Sequence, residues 1–267
     1  MKVKNLIDKN IKKESEILLA SVLKCERFWL HINSNFEVEP NLVEKYLQKL
    51  EQLRNNYPLE YLTGEVCFYS QIFMIQSGVL IPRPETEILV DEAAKIIQNF
   101  NLKKIGEIGS GSGIISIILA QKFPDIYITS GDINPVATAL SQKNRQIFGL
   151  TNVDFIYSNL FENLGNNIEL LVSNPPYIKN NFKLPDNVNF EPMSALFGGD
   201  DGDEILKKII DGCVERKIRF LCCEMGFDQK LSISKYLENF STISVSFYKD
   251  LAEFDRGFCV EFRIDKN

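Results

Sequence analysis

Beyond residue 104, short apolar segments alternate with segments that have the spacing of helices. Strands are predicted at 105–107, 126–132, 153–157, 170–173 and 218–224, and helices at 114–123, 135–148, from 203 onward and at 229–238. Strands that alternate with helices in this way predict a doubly wound α/β sheet. Two further strands near 243–247 and 258–264 have only a short connection between them, so we expect them to pair antiparallel.

The first sixty residues have a different pattern. Apolar residues recur at helical spacing in two stretches, which are Ile7, Ile11, Ile17, Leu18, Val22 and Leu23, and then Leu42, Val43, Tyr46, Leu47, Leu50 and Leu53. They predict a small helical bundle. Ser15 is suited to cap a helix here, and we expect Phe28, Trp29 and Phe36 in the bundle core. Alternating aromatic and aliphatic residues over 66–75 then predict a β-hairpin.

Composition argues against several kinds of site. The chain has one histidine, His31, so neither a Ser-His-Asp triad nor a two-histidine metal site is available in the body of the chain. The six cysteines show no Cys-x-x-Cys spacing, and we expect neither a zinc site, nor any other metal, nor a disulfide framework. The net charge of −6 disfavours stable binding of nucleic acid through its phosphates.

We expect a cytoplasmic, monomeric protein without membrane contact. A hydrophobic content of 45% is that of a globular protein with a sizeable core. No apolar run approaches the roughly 18 residues of a membrane helix. The first residues, Met-Lys-Val-Lys-Asn, lack the apolar centre of a signal peptide.

A glycine loop joins the first predicted strand of the α/β part to its helix. Its sequence is Glu107-Ile-Gly109-Ser-Gly111-Ser-Gly113, and glycines at a helix amino terminus let a nucleotide-like ligand approach the backbone. Asp132 ends the next strand, where a carboxylate can accept both ribose hydroxyls. The third glycine comes one residue early for a dinucleotide fingerprint, and no Gly-Lys-Ser/Thr follows. The loop resembles the S-adenosylmethionine site of Rossmann-like methyltransferases.

The strand at 170–173 stops at Asn174-Pro175-Pro176-Tyr177. Two prolines make this turn stiff, so it can hold the Asn174 amide oxygen and the Pro175 carbonyl as neighbouring acceptors. Such a pair suits an amide-like NH2 group, with the Tyr177 ring as a wall beside it. The acceptor substrate of such a turn is either a protein side-chain amide or an exocyclic amine of adenine or guanine in nucleic acid.

The whole chain resembles the PrmC/HemK family, which methylates the glutamine of peptide chain release factors. The matching motifs are Tyr61-Leu-Thr-Gly64, Leu80-Ile-Pro-Arg-Pro-Glu-Thr-Glu87, the glycine loop, Asp132, Asn174-Pro-Pro-Tyr-Ile178, Phe190-Glu-Pro192 and Gly198-Gly-Asp-Asp-Gly202. The resemblance implies a helical substrate-recognition domain over 1–63 and a β-hairpin linker over 64–80. It also implies a seven-stranded S-adenosylmethionine-dependent methyltransferase domain over 81–267.

The motifs and the resemblance together predict functional residues. The cofactor would contact Glu107, Gly109, Ser110, Gly111, Ser112, Gly113, Asp132, Leu160 and Asn174. The catalytic residues would be Asn174, Pro175 and Tyr177, and the substrate would also contact Pro176, Arg83 and Glu191. Arg83 stands between two prolines on a stiff loop, a place where a charged side chain often contacts a ligand. The loop at 159–161 departs from the family, which has an acidic residue and often an aromatic one where this chain has Asn159 and Leu160.

The activity implied is transfer of a methyl group from S-adenosylmethionine to the glutamine of the Gly-Gly-Gln loop of release factors, which act in translation termination. Two other functions remain open at this stage. An amino methyltransferase of adenine or guanine is disfavoured by the acidic total and by the helical domain in front. A non-catalytic scaffold that docks a partner is disfavoured by the intact glycines, Asp132 and Asn174.

Overall fold

The computed structural model describes residues 1–264. The chain divides into two compact units. The helical unit comprises Met1–Glu65 together with Leu184–Phe190, and the α/β unit comprises Val66–Lys183 and the chain from Glu191 onward. No local sequence pattern indicates that the segment 184–190 belongs with residues that precede it by more than a hundred positions.

The helical unit is built around a small apolar core. Its helices are α1 (Val3–Leu6), α2 (Lys12–Leu23), α3 (Arg27–Ile32), α4 (Pro40–Arg54) and α5 (Leu59–Thr63). Leu18, Leu30 and Tyr46 are fully buried where α2, α3 and α4 meet. The Tyr46 hydroxyl donates a hydrogen bond to the Leu6 carbonyl at 2.9 Å, which gives this buried polar group a partner. The sequence predicts a small helical bundle for this region, and the structure confirms that the region is helical.

Two expectations about residues of the helical unit are wrong. Phe28 and Phe36 are 72% and 50% exposed, whereas Trp29 is half-buried and packs against the core, and Leu30 is the residue that α3 buries fully. A helix of six residues has too few turns for its apolar spacing to define the inward face. Ser15 does not cap a helix, because α2 already begins at Lys12 and the Ser15 hydroxyl bonds to the Lys12 carbonyl at 3.0 Å.

The predicted β-hairpin is confirmed as β1 (Glu65–Phe68) and β2 (Gln71–Met74). Tyr69 and Ser70 between them have φ of 54° and 57°, which is the geometry of a two-residue type I′ turn. A buried amide, Asn144, accepts from the Met74 N–H at 2.9 Å and donates to the Ser112 carbonyl at 2.8 Å. The hairpin is therefore tied to the glycine loop.

The α/β unit has the predicted fold, a seven-stranded sheet with helices on it. Its strands are β3 (Lys104–Ile108), β4 (Tyr127–Asp132), β5 (Val153–Tyr157), β6 (Leu170–Ser173), a short pair β7 (Ile178–Lys179) and β8 (Phe197–Gly199), β9 (Phe220–Glu224), β10 (Thr242–Lys249) and β11 (Asp255–Phe262). Its helices are α6 (Thr86–Phe100), α7 (Ile114–Lys122), α8 (Pro135–Ile147), α9 (Glu204–Glu215) and α10 (Lys230–Leu237). The last three residues of the domain predicted over 81–267 lie outside the described residues.

The order of the strands in the large sheet is β10-β11-β9-β6-β3-β4-β5. Strands β5, β4, β3, β6 and β9 run parallel, and β11 pairs antiparallel with both β9 and β10. The expected antiparallel pair at the end of the chain is confirmed. The short pair β7 and β8 forms a separate parallel sheet beside the Asn-Pro-Pro-Tyr turn, and it brings Gly198-Gly-Asp-Asp-Gly202 next to that turn.

The register of the parallel strands aligns their carboxyl ends. Ile108 lies opposite Gly131 of β4 and opposite Ser173 of β6, and Ser173 lies opposite Cys223 of β9. The next residue of each strand therefore stands at the same edge of the sheet. This row consists of Asp132, Gly109, Asn174 and Glu224.

Three observations on residues 1–264 bear on the class of protein. No helix there is long and apolar enough to cross a membrane. No three side chains of His, Cys, Asp or Glu in that range are grouped as metal ligands. The six cysteines are free thiols, three of them buried in the α/β core.

Candidate active site

A cavity of about 300 Å³ lies at the carboxyl edge of the parallel strands. This is the edge at which open α/β sheets bind their ligands. The residues that were predicted to be functional and that line the cavity are Gly109, Gly111, Asp132, Leu160, Asn174, Pro175 and Pro176. The cavity therefore brings the predicted cofactor and substrate motifs together.

Gly113 closes the glycine loop against the core. It has φ of +85° and precedes α7, and a Cβ there would lie 2.9 Å from the Phe155 ring and 3.0 Å from Ser141 Cβ. A larger residue would need to displace both neighbours. Gly113 is thus needed for close packing between loop and strand, and it does not line the cavity.

Gly111, unlike Gly113, has open space where a Cβ would lie. Its φ is +53°, and a Cβ built on it would meet no atom within 4 Å, because that position faces the cavity. Its N–H donates to Asp132 Oδ2 at 2.8 Å. A ligand can therefore approach the backbone at Gly111 closely, as the sequence predicts.

Asp132 is held at the cavity by two backbone N–H groups. Its Oδ2 accepts from Gly111, and its Oδ1 accepts from Asn134 at 2.8 Å. Burial raises the pKa of this carboxyl above its ordinary value, although both backbone hydrogen bonds act in the opposite direction. Each carboxylate oxygen keeps a lone pair for a further donor, so the group can accept hydroxyls from a ligand.

Four residues predicted to contact the cofactor lie outside the cavity lining, namely Glu107, Ser110, Ser112 and Gly113. The Glu107 carboxylate is 1% exposed and lies under the loop. It accepts hydrogen bonds from the hydroxyls of Ser116 and, at 2.6 Å, Ser130. Burial raises the pKa of Glu107 to about 8. The structure gives this carboxyl a supporting position beneath the glycine loop.

The loop after β5, which departs from the family pattern, lines the cavity through Asn159 and Leu160. Leu160 has φ of 49°, an uncommon conformation for a residue with a side chain. It is stabilised by Ser158, whose hydroxyl donates to the Leu160 carbonyl at 2.9 Å and accepts from the Asn163 N–H at 3.0 Å. Asn159 donates through Nδ2 to Glu162 at 3.2 Å, which leaves its Oδ1 as an acceptor.

Asn174 and Pro175 supply two adjacent acceptors at the cavity. Asn174 Nδ2 donates to Thr86 Oγ1 at 3.1 Å, and the Thr86 hydroxyl donates to Glu224 Oε2 at 2.8 Å. Within the part of the chain that the structure describes, no group donates a hydrogen bond to Asn174 Oδ1 or to the Pro175 carbonyl. Both oxygens are therefore available to a substrate.

Two hydrogen bonds hold Tyr177 in place at the end of the turn. Its hydroxyl donates to Glu224 Oε1 at 2.9 Å, and its carbonyl accepts from Gln229 Nε2 at 2.9 Å. Burial, together with the nearby Glu224 carboxylate, raises the pKa of Tyr177. The half-buried ring packs against the core of the sheet and is not among the residues that line the cavity. Contact of this ring with a substrate remains a prediction.

Arg83 and Glu191 form an ion pair with each other. Glu191 is 4% exposed, and its other carboxylate oxygen accepts from the Ile81 N–H at 2.9 Å. Neither residue lines the cavity, whereas Pro192 and Ser194, which follow Glu191, do. In the structure the pair holds the loop before α6 to the segment that forms one wall of the cavity.

Some residues of the site were missed by the sequence analysis. Asn134 lines the cavity and caps α8, with its Oδ1 accepting from the Val136 N–H at 2.9 Å, and the Asn-Pro sequence was a usable signal. Glu224 ends a predicted strand, as Asp132 does, and the same argument would have placed it at this edge. Thr86 lies within the motif 80–87 that matches the family but was not singled out, and no local pattern indicates Lys208, a residue of α9 that lines the cavity.

Comparisons with known proteins decide the family. The model of the PrmC N-terminal domain matches residues 8–64, and that of the Methyltransferase small domain matches residues 85–189. A release factor glutamine methyltransferase from Clostridium acetobutylicum is 34% identical over 95% of this chain and 92% of its own length. The chain belongs to the release factor glutamine methyltransferase family. The family expected from the sequence motifs is thereby confirmed.

Further matches agree with this family. A release factor glutamine methyltransferase from Aquifex aeolicus is 32% identical, and the match covers 96% of this chain and 94% of the relative. Among solved structures, the hMettl16 catalytic domain in complex with the MAT2A 3′UTR hairpin 6 superimposes with a TM-score of 0.61. That match is 14% identical and covers 86% of this chain and 84% of the other. At this identity the match supports the methyltransferase fold and carries no information on the substrate.

We predict that Glu107 makes the stability of this family member depend on pH. The folded-state pKa is about 8 and the ordinary value is 4.5, so the fold binds a proton that the unfolded chain releases. This contribution to stability is fully present below pH 4.5 and is lost as the pH rises through about 8. Glu107→Gln should remove it, because the neutral amide imitates the protonated acid.

The measurement is the free energy of unfolding, or the melting temperature, at pH values across that range. Wild type should lose stability more steeply than Glu107→Gln. The matched control is Glu162→Gln, which changes an exposed carboxylate and should follow wild type. Identical slopes for wild type and Glu107→Gln would contradict the assigned environment of Glu107.

Proposed function

We propose that this protein transfers a methyl group from S-adenosylmethionine to the side-chain amide nitrogen of a glutamine in a peptide chain release factor. The observation that carries the proposal is the pair of available acceptors, Asn174 Oδ1 and the Pro175 carbonyl, at the cavity. Two adjacent acceptors match the two N–H donors of a primary amide. The relatives that match nearly the whole chain are named release factor glutamine methyltransferases.

The donor set of the cavity fits S-adenosylmethionine. The open position at Gly111 admits a ligand against the loop backbone. Asp132 would accept the ribose hydroxyls, and the apolar side chains of Ile133 and Leu160 would lie against the adenine ring. When bound there, the cofactor supplies an electrophilic methyl group on a positively charged sulfur.

The difficulty of the reaction lies in the amide nitrogen. Its lone pair is delocalised into the carbonyl, the same resonance that gives a peptide bond a rotation barrier of ~18–20 kcal/mol. Asn174 Oδ1 and the Pro175 carbonyl each accept one N–H, so negative partial charge lies beside the nitrogen and opposes the delocalisation. The stiff Pro175-Pro176 turn keeps both acceptors in place and orients the nitrogen towards the methyl group.

The proton on the methylated nitrogen needs no dedicated base. A nitrogen-protonated amide is a strong acid, so it gives its proton to water once the methyl group has been transferred. The composition agrees with this, because the single histidine of the chain, His31, belongs to the helical unit. Catalysis therefore depends on orientation and electrostatics at Asn174 and Pro175 more than on proton transfer.

An amino methyltransferase of nucleic-acid bases is the alternative, and it is not favoured. An exocyclic base amine also offers two N–H donors, but a paired base must first be flipped out at a cost of a few kcal/mol. Proteins that do so usually hold the phosphates with basic side chains, and this chain has a net charge of −6. The structural match to an RNA-bound domain, at 14% identity, extends to the fold only.

We further propose how the release factor is recognised. The substrate glutamine lies in the Gly-Gly-Gln loop of the release factor, where the glycines let the backbone pass close to the rim of the cavity. The helical region over 1–63 supplies a second contact with the same partner and so raises its local concentration at the site. Residues 64–80 link it to the methyltransferase region, and the enzyme acts as a cytoplasmic monomer without stable nucleic acid.

Cofactor binding provides the first test. Gly111→Val should abolish detectable binding of S-adenosylmethionine in calorimetry, because the new side chain fills the space that the cofactor needs. Gly149→Val is the matched control, since Gly149 also has positive φ and open space around its Cβ position but does not line the cavity. Equal affinities of the two variants would show that the cofactor binds elsewhere.

Transfer of labelled methyl provides the second test. Wild type should label purified release factor, and a release factor without the loop glutamine should take no label. Asn174→Ala should lower the rate by about 10²–10³, since it removes one of two acceptors that act in the transition state. Asn180→Ala, which removes an exposed amide outside the cavity, is the control and should leave the rate unchanged. Preferred labelling of DNA or ribosomal RNA would contradict the proposal.

A further inference from the structure

Glu224 stands at the carboxyl end of β9 with its side chain buried. It is 1% exposed, and both of its carboxylate oxygens are used. Oε2 accepts from the Thr86 hydroxyl at 2.8 Å, and Oε1 accepts from the Tyr177 hydroxyl at 2.9 Å. One carboxylate therefore joins the start of α6 to the turn that carries the predicted catalytic residues.

The hydrogen on the Thr86 hydroxyl is committed to Glu224. A hydroxyl has one hydrogen to donate, so what Thr86 Oγ1 has left for Asn174 is a lone pair. Only the NH2 end of the Asn174 side chain can use it, and Nδ2 donates to Thr86 Oγ1 at 3.1 Å. The reversed amide would bring two oxygens together with no hydrogen between them, and the hydrogen bond would be lost.

The orientation of the Asn174 amide decides which end of a substrate amide is bound. The two ends of a carboxamide have nearly the same shape but opposite hydrogen-bonding character. With Oδ1 towards the cavity, Asn174 accepts an N–H of the substrate and holds its nitrogen near the methyl donor. With the NH2 end towards the cavity, it would bind the substrate carbonyl and turn the nitrogen away.

The donors around Glu224 favour its charged, hydrogen-bond-accepting form, and burial opposes that form. Burial raises the pKa of Glu224, while the hydrogen bonds from Thr86 and Tyr177 and the positive charge of Arg256 act against that rise. A guanidinium nitrogen of Arg256 donates in turn to Asp250 Oδ2 at 2.8 Å. In its charged form the carboxylate has no hydrogen to donate, so the hydrogens of both hydroxyls are directed at it.

We propose that Glu224 is a positioning residue, which acts through Thr86 to fix the Asn174 side-chain amide with its oxygen towards the substrate. The same carboxylate fixes the Tyr177 hydroxyl, so both ends of the Asn-Pro-Pro-Tyr turn are anchored to one group. This inference rests on the proposed methylation of a glutamine amide, and it assigns a role to two residues that do not line the cavity.

The test compares Thr86→Val with Thr86→Ser in the full-length protein. Valine has the shape of threonine without the hydroxyl, so the Asn174 amide loses the acceptor that orients it, whereas serine keeps that acceptor. We expect Thr86→Val to lower kcat for methylation of release factor by about tenfold to a hundredfold, which is less than complete loss of the Asn174 acceptor. The KM for release factor and the Kd for S-adenosylmethionine should stay as in wild type, and Thr86→Ser should keep wild-type kcat.

A second variant keeps the inference testable if Thr86→Val does not fold. Glu224→Gln retains the size of the side chain, but its NH2 group can donate to Thr86 Oγ1 and free the Thr86 hydrogen to bond Asn174 Oδ1. A fall in kcat with unchanged KM is again expected. Wild-type kcat in Thr86→Val or in Glu224→Gln would overturn the inference, as would an equal loss in Thr86→Ser and Thr86→Val.

The same measurements distinguish an error in this inference from an error in the proposed function. If wild type transfers no methyl group to release factor glutamine, the proposed function is wrong whatever the variants do. If wild type methylates the glutamine and Thr86→Val does so at the same kcat, the function stands and the positioning role is wrong.

Discussion

The site depends on the parallel hydrogen bonding that holds β4, β3, β6 and β9 in register. Because Ile108 and Ser173 are paired with their neighbours at the same level, the four strands end together. Their next residues form the row of Asp132, Gly109, Asn174 and Glu224. The Asp132 carboxylate, the loop glycine, the Asn174 amide and the buried Glu224 carboxyl are thus positioned by one set of backbone hydrogen bonds.

Two buried carboxyl groups lie near this edge, and each accepts hydrogen bonds from two hydroxyl groups. Glu107 accepts from Ser116 and Ser130 beneath the glycine loop, and Glu224 accepts from Thr86 and Tyr177 behind the catalytic turn. Removing a carboxylate from water is costly, and hydroxyl donors offset only part of the cost. Strongly perturbed acids of this kind are concentrated at functional sites. In this protein Glu107 joins β3 to β4 and α7, and Glu224 joins β9 to the start of α6 and to the Asn-Pro-Pro-Tyr turn.

Local patterns in the sequence were sufficient for the strands of the large sheet and for Asp132 and Asn174, which stand at two of their ends. The strand that ends at Ser173 is an apolar run stopped by Asn174 and a proline, so its limits need no knowledge of the fold. Thr86 and Glu224 could not be paired in this way, because 138 residues separate them and only the sheet brings them together. Phe28 was placed in a core by its apolar character alone, and its short helix turns it outward.

If Thr86 acts on catalysis only through the Asn174 amide, a double-mutant cycle will show it. The kcat for methylation of release factor would be measured for wild type, Thr86→Val, Asn174→Ala and the double variant. We expect strong coupling, in which Thr86→Val lowers kcat hardly at all once Asn174 is alanine. Additive losses from the two changes would contradict it, because Thr86 would then act by a route that does not involve Asn174.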